Sequence, residues 1–271
     1  MSEKITTISL IKRKTVGRKI VCLTAYDYLM AKLFDEAGID LLLIGDSVAN
    51  VVYGHETTLP VGMLEMLAHT RAVAKAVKRA LVVADMPFMS YQVSPEEALR
   101  NAGKFLKAGA EAVKLEGGVS IAFTIEKLVK SGIPVMGHLG LMPQSVHLLG
   151  GYRLQARTQE AQEKLLEDAR ALENAGCFAI VLEKIPQGLA KRVTETIKIP
   201  TIGIGAGPYC DGQILVWQDM LGLSQNKFKF VKEYTNLYQI IFSAVKNYIQ
   251  EVNIGSFPAK EHSFDDEQGC P

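Results

Sequence analysis

Asp46 and Ser47, Asp85, Lys114 and Glu116, His138, and Glu183 all sit at the carboxyl ends of short apolar runs. Carboxylates inside runs such as LLLIGDS (41–47) and LVVADMP (81–87) are costly to bury without a partner. Side chains alternate along a strand, so Lys114 and Glu116 share a face, Asp85 goes with Val83, Asp46 with Ile44, and Glu183 with Val181. If these faces converge, several carboxylates crowd beside one lysine, repel, and raise one another's pKa. A hard divalent cation removes that conflict. Mg²⁺ takes oxygen ligands, keeps several waters, and uses one or two protein carboxylates plus substrate oxygens. Zinc fits poorly. His55, His69, His138, His147 and His262 show no paired-ligand spacing, and Cys22, Cys177, Cys210 and Cys270 are scattered without a CxxC pair.

Each of these residues also has a plainer reading. A lone Asp at the end of a strand is commonly the N-cap of the next helix, which serves Asp46 or Asp85 taken singly. Lys114 alone reads as the ion-pair partner of Glu116, and His138 alone as a hydrogen-bonded core histidine. The set, spread over several strands, favours chemistry. The run Gly203-Ile204-Gly205-Ala206-Gly207 either cradles a phosphate or makes a tight turn where backbones pass closely. It lacks the dinucleotide spacing and the ribose-binding acid of a Rossmann motif.

Positioning such a set requires parallel strands that end together. Eight apolar runs qualify: KIVCLTAY (19–26), LLLIGDS (41–47), LVVADMP (81–87), AVKLEGG (112–118), PVMGHLG (134–140), FAIVLEK (178–184), PTIGIGAG (200–207) and ILVWQDM (214–220). Each is rich in aliphatic residues and too short for a typical helix, which suits strands buried on both faces. The stretches between them carry helical spacing. Ser94-Pro95-Glu96-Glu97 is a capping signal ahead of Ala98, Ala102, Phe105 and Leu106, with Gly109 as the stop. Tyr26, Leu29 and Leu33 repeat the pattern before Gly38, Ile125, Leu128 and Val129 before Gly132, and Leu165, Leu166, Ala169 and Leu172 before Gly176.

Eight strands alternating with helices give an α/β chain and a single (β/α)₈ barrel over residues 1–271, with an N-terminal extension and a C-terminal helix over about 231–252. The seventh crossover has too few residues for a full helix. Residues 253–271 read as a flexible polar tail. Two long connections, 47–62 and 141–158, follow strands and so belong on the C-terminal face, where barrel enzymes keep their sites.

Composition narrows the function classes. The chain has 271 residues, 48% of them hydrophobic and 22% charged, enough for a large core. The 30 Lys+Arg against 29 Asp+Glu leave a net charge of +1, without the basic excess of a broad nucleic-acid surface. The first residues lack the apolar core of a signal peptide, and no apolar run is long enough to span a bilayer, so a cytoplasmic location with reduced thiols is expected.

The sequence resembles the ketopantoate hydroxymethyltransferase (3-methyl-2-oxobutanoate hydroxymethyltransferase) family along nearly its whole length. The matching segments include LTAYDY (23–28), GDS (45–47), GHETTLPV (54–61), ADMPFMSY (84–91), VKLEGG (113–118), GHLGLMPQSV (137–146), GGYRLQAR (150–157), VLEKIP (181–186), GIGAGPYCDGQILVWQDMLGL (203–223) and FPAKEHSF (257–264). Met142 stands where the family usually has Thr, and Ala156 where Gly is common. The resemblance implies a Mg²⁺-dependent barrel enzyme of pantothenate and coenzyme A biosynthesis. That enzyme transfers a one-carbon unit from 5,10-methylenetetrahydrofolate to 3-methyl-2-oxobutanoate, giving 2-dehydropantoate. It further implies Asp46 and Asp85 as direct metal ligands, also in contact with substrate, and Glu116 as a third metal-site carboxylate. Ser47 and Lys114 are implied to contact the substrate carboxylate, Glu183 to be the catalytic base, and His138 to line the pocket. A decamer of two pentameric rings is implied as the assembly.

Other readings keep the barrel. A Mg²⁺-dependent 2-oxo acid lyase or mutase of the isocitrate lyase/phosphoenolpyruvate mutase type uses similar chemistry, but the long loops carry no cysteine for a Cys-type lyase. A phosphosugar isomerase using Gly203–Gly207 needs no such group of acids. A non-catalytic scaffold leaves the acids and Lys114 unexplained.

Overall fold

A computed structural model describes residues 3–224 and 226–264. The N-terminal helix α1 (Thr7–Thr15) precedes a closed, parallel, eight-stranded barrel with strands in sequence order. The strands are β1 (Ile20–Thr24), β2 (Leu41–Ile44), β3 (Leu81–Asp85), β4 (Ala112–Glu116), β5 (Val135–Gly140), β6 (Ala179–Glu183), β7 (Thr201–Ile204) and β8 (Gly212–Leu215). Between them run α2 (Tyr28–Ala37), α3 (Val48–Val51), α4 (Met63–Ala76), α5 (Pro95–Lys107), α6 (Val119–Lys130), α7 (Gln159–Asn174) and α8 (Gln187–Thr196). The (β/α)₈ expectation is met, including a seventh crossover with no helix.

Alternate strand residues fill the interior. Cys22, Leu41, Leu43, Leu81, Val83, Ala112, Met136, Val181, Ile202 and Ile214 form one buried cluster, joined from α1 and its approach by Leu10 and Ile5. Ile5 N–H donates to the Arg79 carbonyl just before β3, so this segment closes the amino-terminal end of the barrel. The same alternation carries Asp85, Lys114, Glu116, His138 and Glu183 to the inside at the opposite end, above an apolar plug.

Most helices follow the sequence pattern. Ser94 Oγ accepts from Glu97 N–H at 3.1 Å, Pro95 opens α5, and Ala98, Ala102 and Phe105 are buried. In α7, Leu165, Leu166, Ala169 and Leu172 are buried as expected. Helix α2 differs. Asp27 caps it by accepting from Met30 N–H at 2.9 Å, which leaves Tyr26 outside the helix. The series counted from Tyr26 is therefore out of phase. Ala31 and Phe34 face the core, while Leu29 and Leu33 are 74% and 54% exposed.

The last strand also departs from its expected bounds. It begins at Gly212 rather than Ile214, and Trp217–Met220 is a helical turn. Gly212 gives no apolar signal because the closing seam leaves it no room. A Cβ there would stand 2.5 Å from the Ile20 carbonyl oxygen and 2.7 Å from Ile202 Cδ1. The connection over 47–62 is not wholly loop, since α3 forms at its start.

The contacts fall into two compact units, Met1–Trp217 with Phe228–Val231, and Gln218–Lys227 with Lys232–Pro271. In the second unit a helix spans Leu237–Asn253, starting later than the sequence suggests because Asn236 caps it by accepting from Gln239 N–H at 3.0 Å. None of its residues is buried. Beyond it, the Phe257 ring lies 5.6 Å from Tyr248 and 5.1 Å from His262. Of the expected tail, residues 265–271, with Cys270, lie outside the described residues. No described helix is long and apolar enough to cross a membrane.

Gly140 ends β5 at φ +93°, and a Cβ there would meet the Glu183 carbonyl oxygen at 2.2 Å. Gly140→Ala is expected to lose at least about 1–3 kcal/mol, the scale of left-handed strain in a residue with a Cβ. Urea denaturation checks this, and an unchanged midpoint would contradict it.

Candidate active site

Ladder register sets the pairs at the barrel mouth. Asp85 on β3 stands opposite Lys114 on β4, and Glu116 stands opposite His138 on β5. Lys114 Nζ makes a close ion pair with Asp85 Oδ1 and lies 3.9 Å from Glu116 Oε1. His138 bridges two acids, with Nδ1 3.3 Å from Glu116 Oε1 and Nε2 3.4 Å from Glu183 Oε2. These His138 contacts lie at ion-pair distance without hydrogen-bond alignment, because both ring nitrogens and Glu116 Oε1 lack a hydrogen-bond partner. The side chains of Asp85, Lys114 and Glu116 are nearly sealed, whereas that of Glu183 is 16% exposed. Glu183 is thus the site's base candidate that can meet an incoming molecule.

Asp46 arrives by a different route. Alternation places it with Ile44, which is absent from the inner cluster that holds Leu41 and Leu43. The strand stops at Ile44, however, and the chain turns through Gly45 into α3. Asp46 N–H then donates to Asp85 Oδ2 at 3.0 Å. Gly45 permits the tight wrap, since a Cβ there would crowd Ser47 Oγ at 2.8 Å. Ser47 Oγ shares a 2.8 Å hydrogen bond with the buried Tyr26 hydroxyl. All seven residues singled out from sequence therefore lie around one barrel mouth.

Burial and charge act together here. Burial, then Asp85 and Glu116, push the Asp46 carboxyl up to about 7. Burial opposes the charge of Lys114, but the carboxylates of Asp85, Glu116 and Asp46 outweigh it and hold the ammonium above its ordinary range. Glu116 is held below the usual carboxylate range; burial works against this and is outweighed by His138, Lys114 and the Gln144 N–H. Burial and Lys114 disfavour a charged His138, yet Glu116 and Glu183 raise it to about 9, so it is an imidazolium at neutral pH.

The donor set fits a hard cation that keeps waters. The Asp46 backbone N–H reaches Asp85 Oδ2, and the buried Glu116 Oε1, without a hydrogen bond, lies 3.9 Å from the Lys114 Nζ that pairs with Asp85. Among the described residues no group of three His, Cys, Asp or Glu side chains forms a ready cage. A divalent cation held here would therefore take its remaining ligands from substrate and water.

Sequence reasoning passed over Tyr26, Tyr91 and Gln144. Gln144, in the turn Pro143–Ser145 after β5, donates from Nε2 to Asp46 Oδ2 at 3.1 Å and from its backbone N–H to Glu116 Oε2 at 3.0 Å. Tyr91 donates to Gln144 Oε1 at 2.8 Å. Single polar residues in loops carry no period, so only their place inside matched segments could have flagged them. Ala156, where the resemblance puts Gly, has φ +50° in the left-handed region that Gly favours. Gly207 is explained by packing, since a Cβ there would stand 2.4 Å from Gln187 Cβ, which favours the tight-turn reading of the glycine run.

Residues 4–260 match the family model described as ketopantoate hydroxymethyltransferase. The chain belongs to the ketopantoate hydroxymethyltransferase family. It is 55% identical over 266 residues to the 3-methyl-2-oxobutanoate hydroxymethyltransferase of Thermoanaerobacter sp. (strain X514), covering 97% of each chain. It is 57% identical over 242 residues to the enzyme of that name from Pyrobaculum aerophilum, covering 89% of this chain and 92% of the relative. Among solved structures, phosphonopyruvate hydrolase in complex with oxalate and Mg²⁺ superposes with TM-score 0.62 at 15% identity, covering 95% of this chain and 93% of the other. 2,3-Dimethylmalate lyase, a PEP mutase/isocitrate lyase superfamily member, superposes with TM-score 0.61 at 18% identity, covering 97% and 91%. At those identities the two structures speak for the barrel fold alone.

His138 generates a pH prediction. Its pKa rises from 6.5 to about 9 on folding, so its stabilisation is complete below 6.5 and is lost as pH rises through 9. Metal-free protein is expected to lose stability across that window, and His138→Asn to flatten the slope. Urea midpoints measured across the window check this; a wild-type midpoint that does not fall would contradict the buried imidazolium.

Proposed function

We propose that this chain transfers a hydroxymethyl unit from 5,10-methylenetetrahydrofolate to 3-methyl-2-oxobutanoate, giving 2-dehydropantoate for pantothenate and coenzyme A biosynthesis. The observation that carries the reading is family membership across almost the whole chain, together with one partly open carboxylate beside a sealed, cation-ready group of acids. A divalent cation, Mg²⁺ in this reading, would supply Lewis-acid polarisation of the 2-oxo acid and so make its C3 proton more acidic. Asp46 and Asp85 would hold it directly and Glu116 through water.

The chain's own residues do the rest. Ser47 and Lys114 receive the substrate carboxylate. An ammonium has three donors, so Lys114 can keep Asp85 and still offer a proton to the substrate. Glu183 accepts the proton from C3, and the electron pair left on C3 attacks the methylene carbon of the folate. Both C–N bonds of that methylene carbon break: water supplies the hydroxyl oxygen, and its other proton and the one taken from C3 pass to the two folate nitrogens as tetrahydrofolate leaves. His138, charged between Glu116 and Glu183, keeps the two acids from repelling each other and orients the base. A homo-oligomer, a decamer by the resemblance, belongs to the same reading. It is supported by the helix Leu237–Asn253, which exposes Ile241, Val245, Tyr248 and Val252. A cytoplasmic setting is supported by Cys22, Cys177 and Cys210, which are buried and unpaired.

Glu183→Gln is expected to keep metal and 2-oxo acid binding while losing roughly 10²–10⁴-fold in rate, the usual scale for a general base. Undiminished turnover would remove Glu183 from the role. Asp85→Ala is expected to weaken metal-dependent binding of 3-methyl-2-oxobutanoate; calorimetric titration at wild-type affinity would refute that ligand assignment.

A further inference from the structure

Gln144 is 5% exposed, and every hydrogen-bonding position of its side chain is used. Nε2 donates to Asp46 Oδ2 at 3.1 Å and to the Met86 carbonyl at 2.9 Å. Oε1 accepts from the Tyr91 hydroxyl at 2.8 Å and from Gln92 Nε2 at 3.3 Å. An amide has two N–H donors and two oxygen lone pairs, so nothing is left over. Its orientation is fixed by its neighbours. The Met86 carbonyl can only accept, so the nitrogen must face Met86 and Asp46. Tyr91 Oη accepts from Glu116 N–H at 3.1 Å, and its proton has two acceptors in reach, Gln144 Oε1 at 2.8 Å and the Glu116 carbonyl at 3.2 Å, of which Gln144 is the nearer. The Gln144 backbone N–H holds Glu116 Oε2 as well. One residue after β5 thus engages one oxygen of each of two carboxylates, one following β2 and one ending β4.

We infer that Gln144 is a positioning residue: its carboxamide, oriented by Tyr91, holds the Asp46 carboxylate in the geometry that the divalent cation of the proposed reaction requires. The inference rests on that functional reading. A buried amide whose alternatives are all occupied can hold a carboxylate more rigidly than water can. Groups that orient metal ligands typically change metal affinity or activity by roughly 10–100-fold when removed.

Gln144→Met keeps the length and loses both donors. Mn²⁺ binding in the presence of saturating 3-methyl-2-oxobutanoate, read from the free-ion paramagnetic resonance signal, is expected to weaken by roughly 10–100-fold. Tyr91→Phe should weaken it by less. Adding Tyr91→Phe to Gln144→Met should weaken it by less than the product of the two single effects, since the two side chains share one amide. Thermal unfolding identifies the variants that are folded. Folded Gln144→Met, or Tyr91→Phe if the former does not fold, with wild-type Mn²⁺ affinity would overturn the inference while leaving the function intact. Wild-type protein that binds Mn²⁺ no better with the 2-oxo acid than without it would overturn the functional reading and this inference with it.

Discussion

The constraint on which the site depends is the crowding of buried carboxylates at one end of a sealed barrel. Asp46, Asp85 and Glu116 stand where water cannot screen them, and like charges at such range oppose ionisation. Two internal cations, Lys114 and the His138 imidazolium, offset part of that repulsion. Asp46 keeps the remainder, with its carboxyl raised to about 7. A site built in this way has a standing affinity for added positive charge, and its pairing is set by strand register. Asp85 faces Lys114, and Glu116 faces His138, because β3, β4 and β5 run parallel with those residues in line.

The barrel supplies the rigid frame for this charge. Its lower interior is apolar, plugged by Leu10 from α1 and by alternate strand residues, so the polar layer has no route to solvent from below. The upper end is shaped by connections rather than by strands. The segment after β2 brings Asp46 and Ser47 inward, and the segment after β5 brings Gln144 across to meet them. Tyr152 in the second long connection reaches the Glu56 carbonyl of the first at 3.4 Å, so the two connections meet over the mouth.

Strand interiors were legible in the sequence because aliphatic runs have one physical meaning when helices separate them. Asp85, Lys114, Glu116 and Glu183 could be placed on the inner face by counting alternate residues from Val83, Ala112 and Val181. Counting failed where the chain leaves its element. Asp46 reaches the site through a turn, Leu29 and Leu33 face outward because Asp27 resets the start of α2, and Gly212 hides the start of β8. Tyr26, Tyr91 and Gln144 carried no sign of a place in the site beyond lying inside matched segments. Their importance lies in hydrogen bonds between loops distant in sequence, such as that from Gln144 to Asp46, which local patterning does not encode.

In the proposed reaction this mouth removes a proton from C3 of a 2-oxo acid with the help of a divalent cation. The direct test incubates the protein with 3-methyl-2-oxobutanoate in D₂O, with and without Mg²⁺, and follows the C3 proton by NMR, with a folate analogue in a parallel sample. Loss of the C3 signal that requires Mg²⁺ is the predicted result. Folded protein that exchanges no C3 proton in any sample would rule that reaction out.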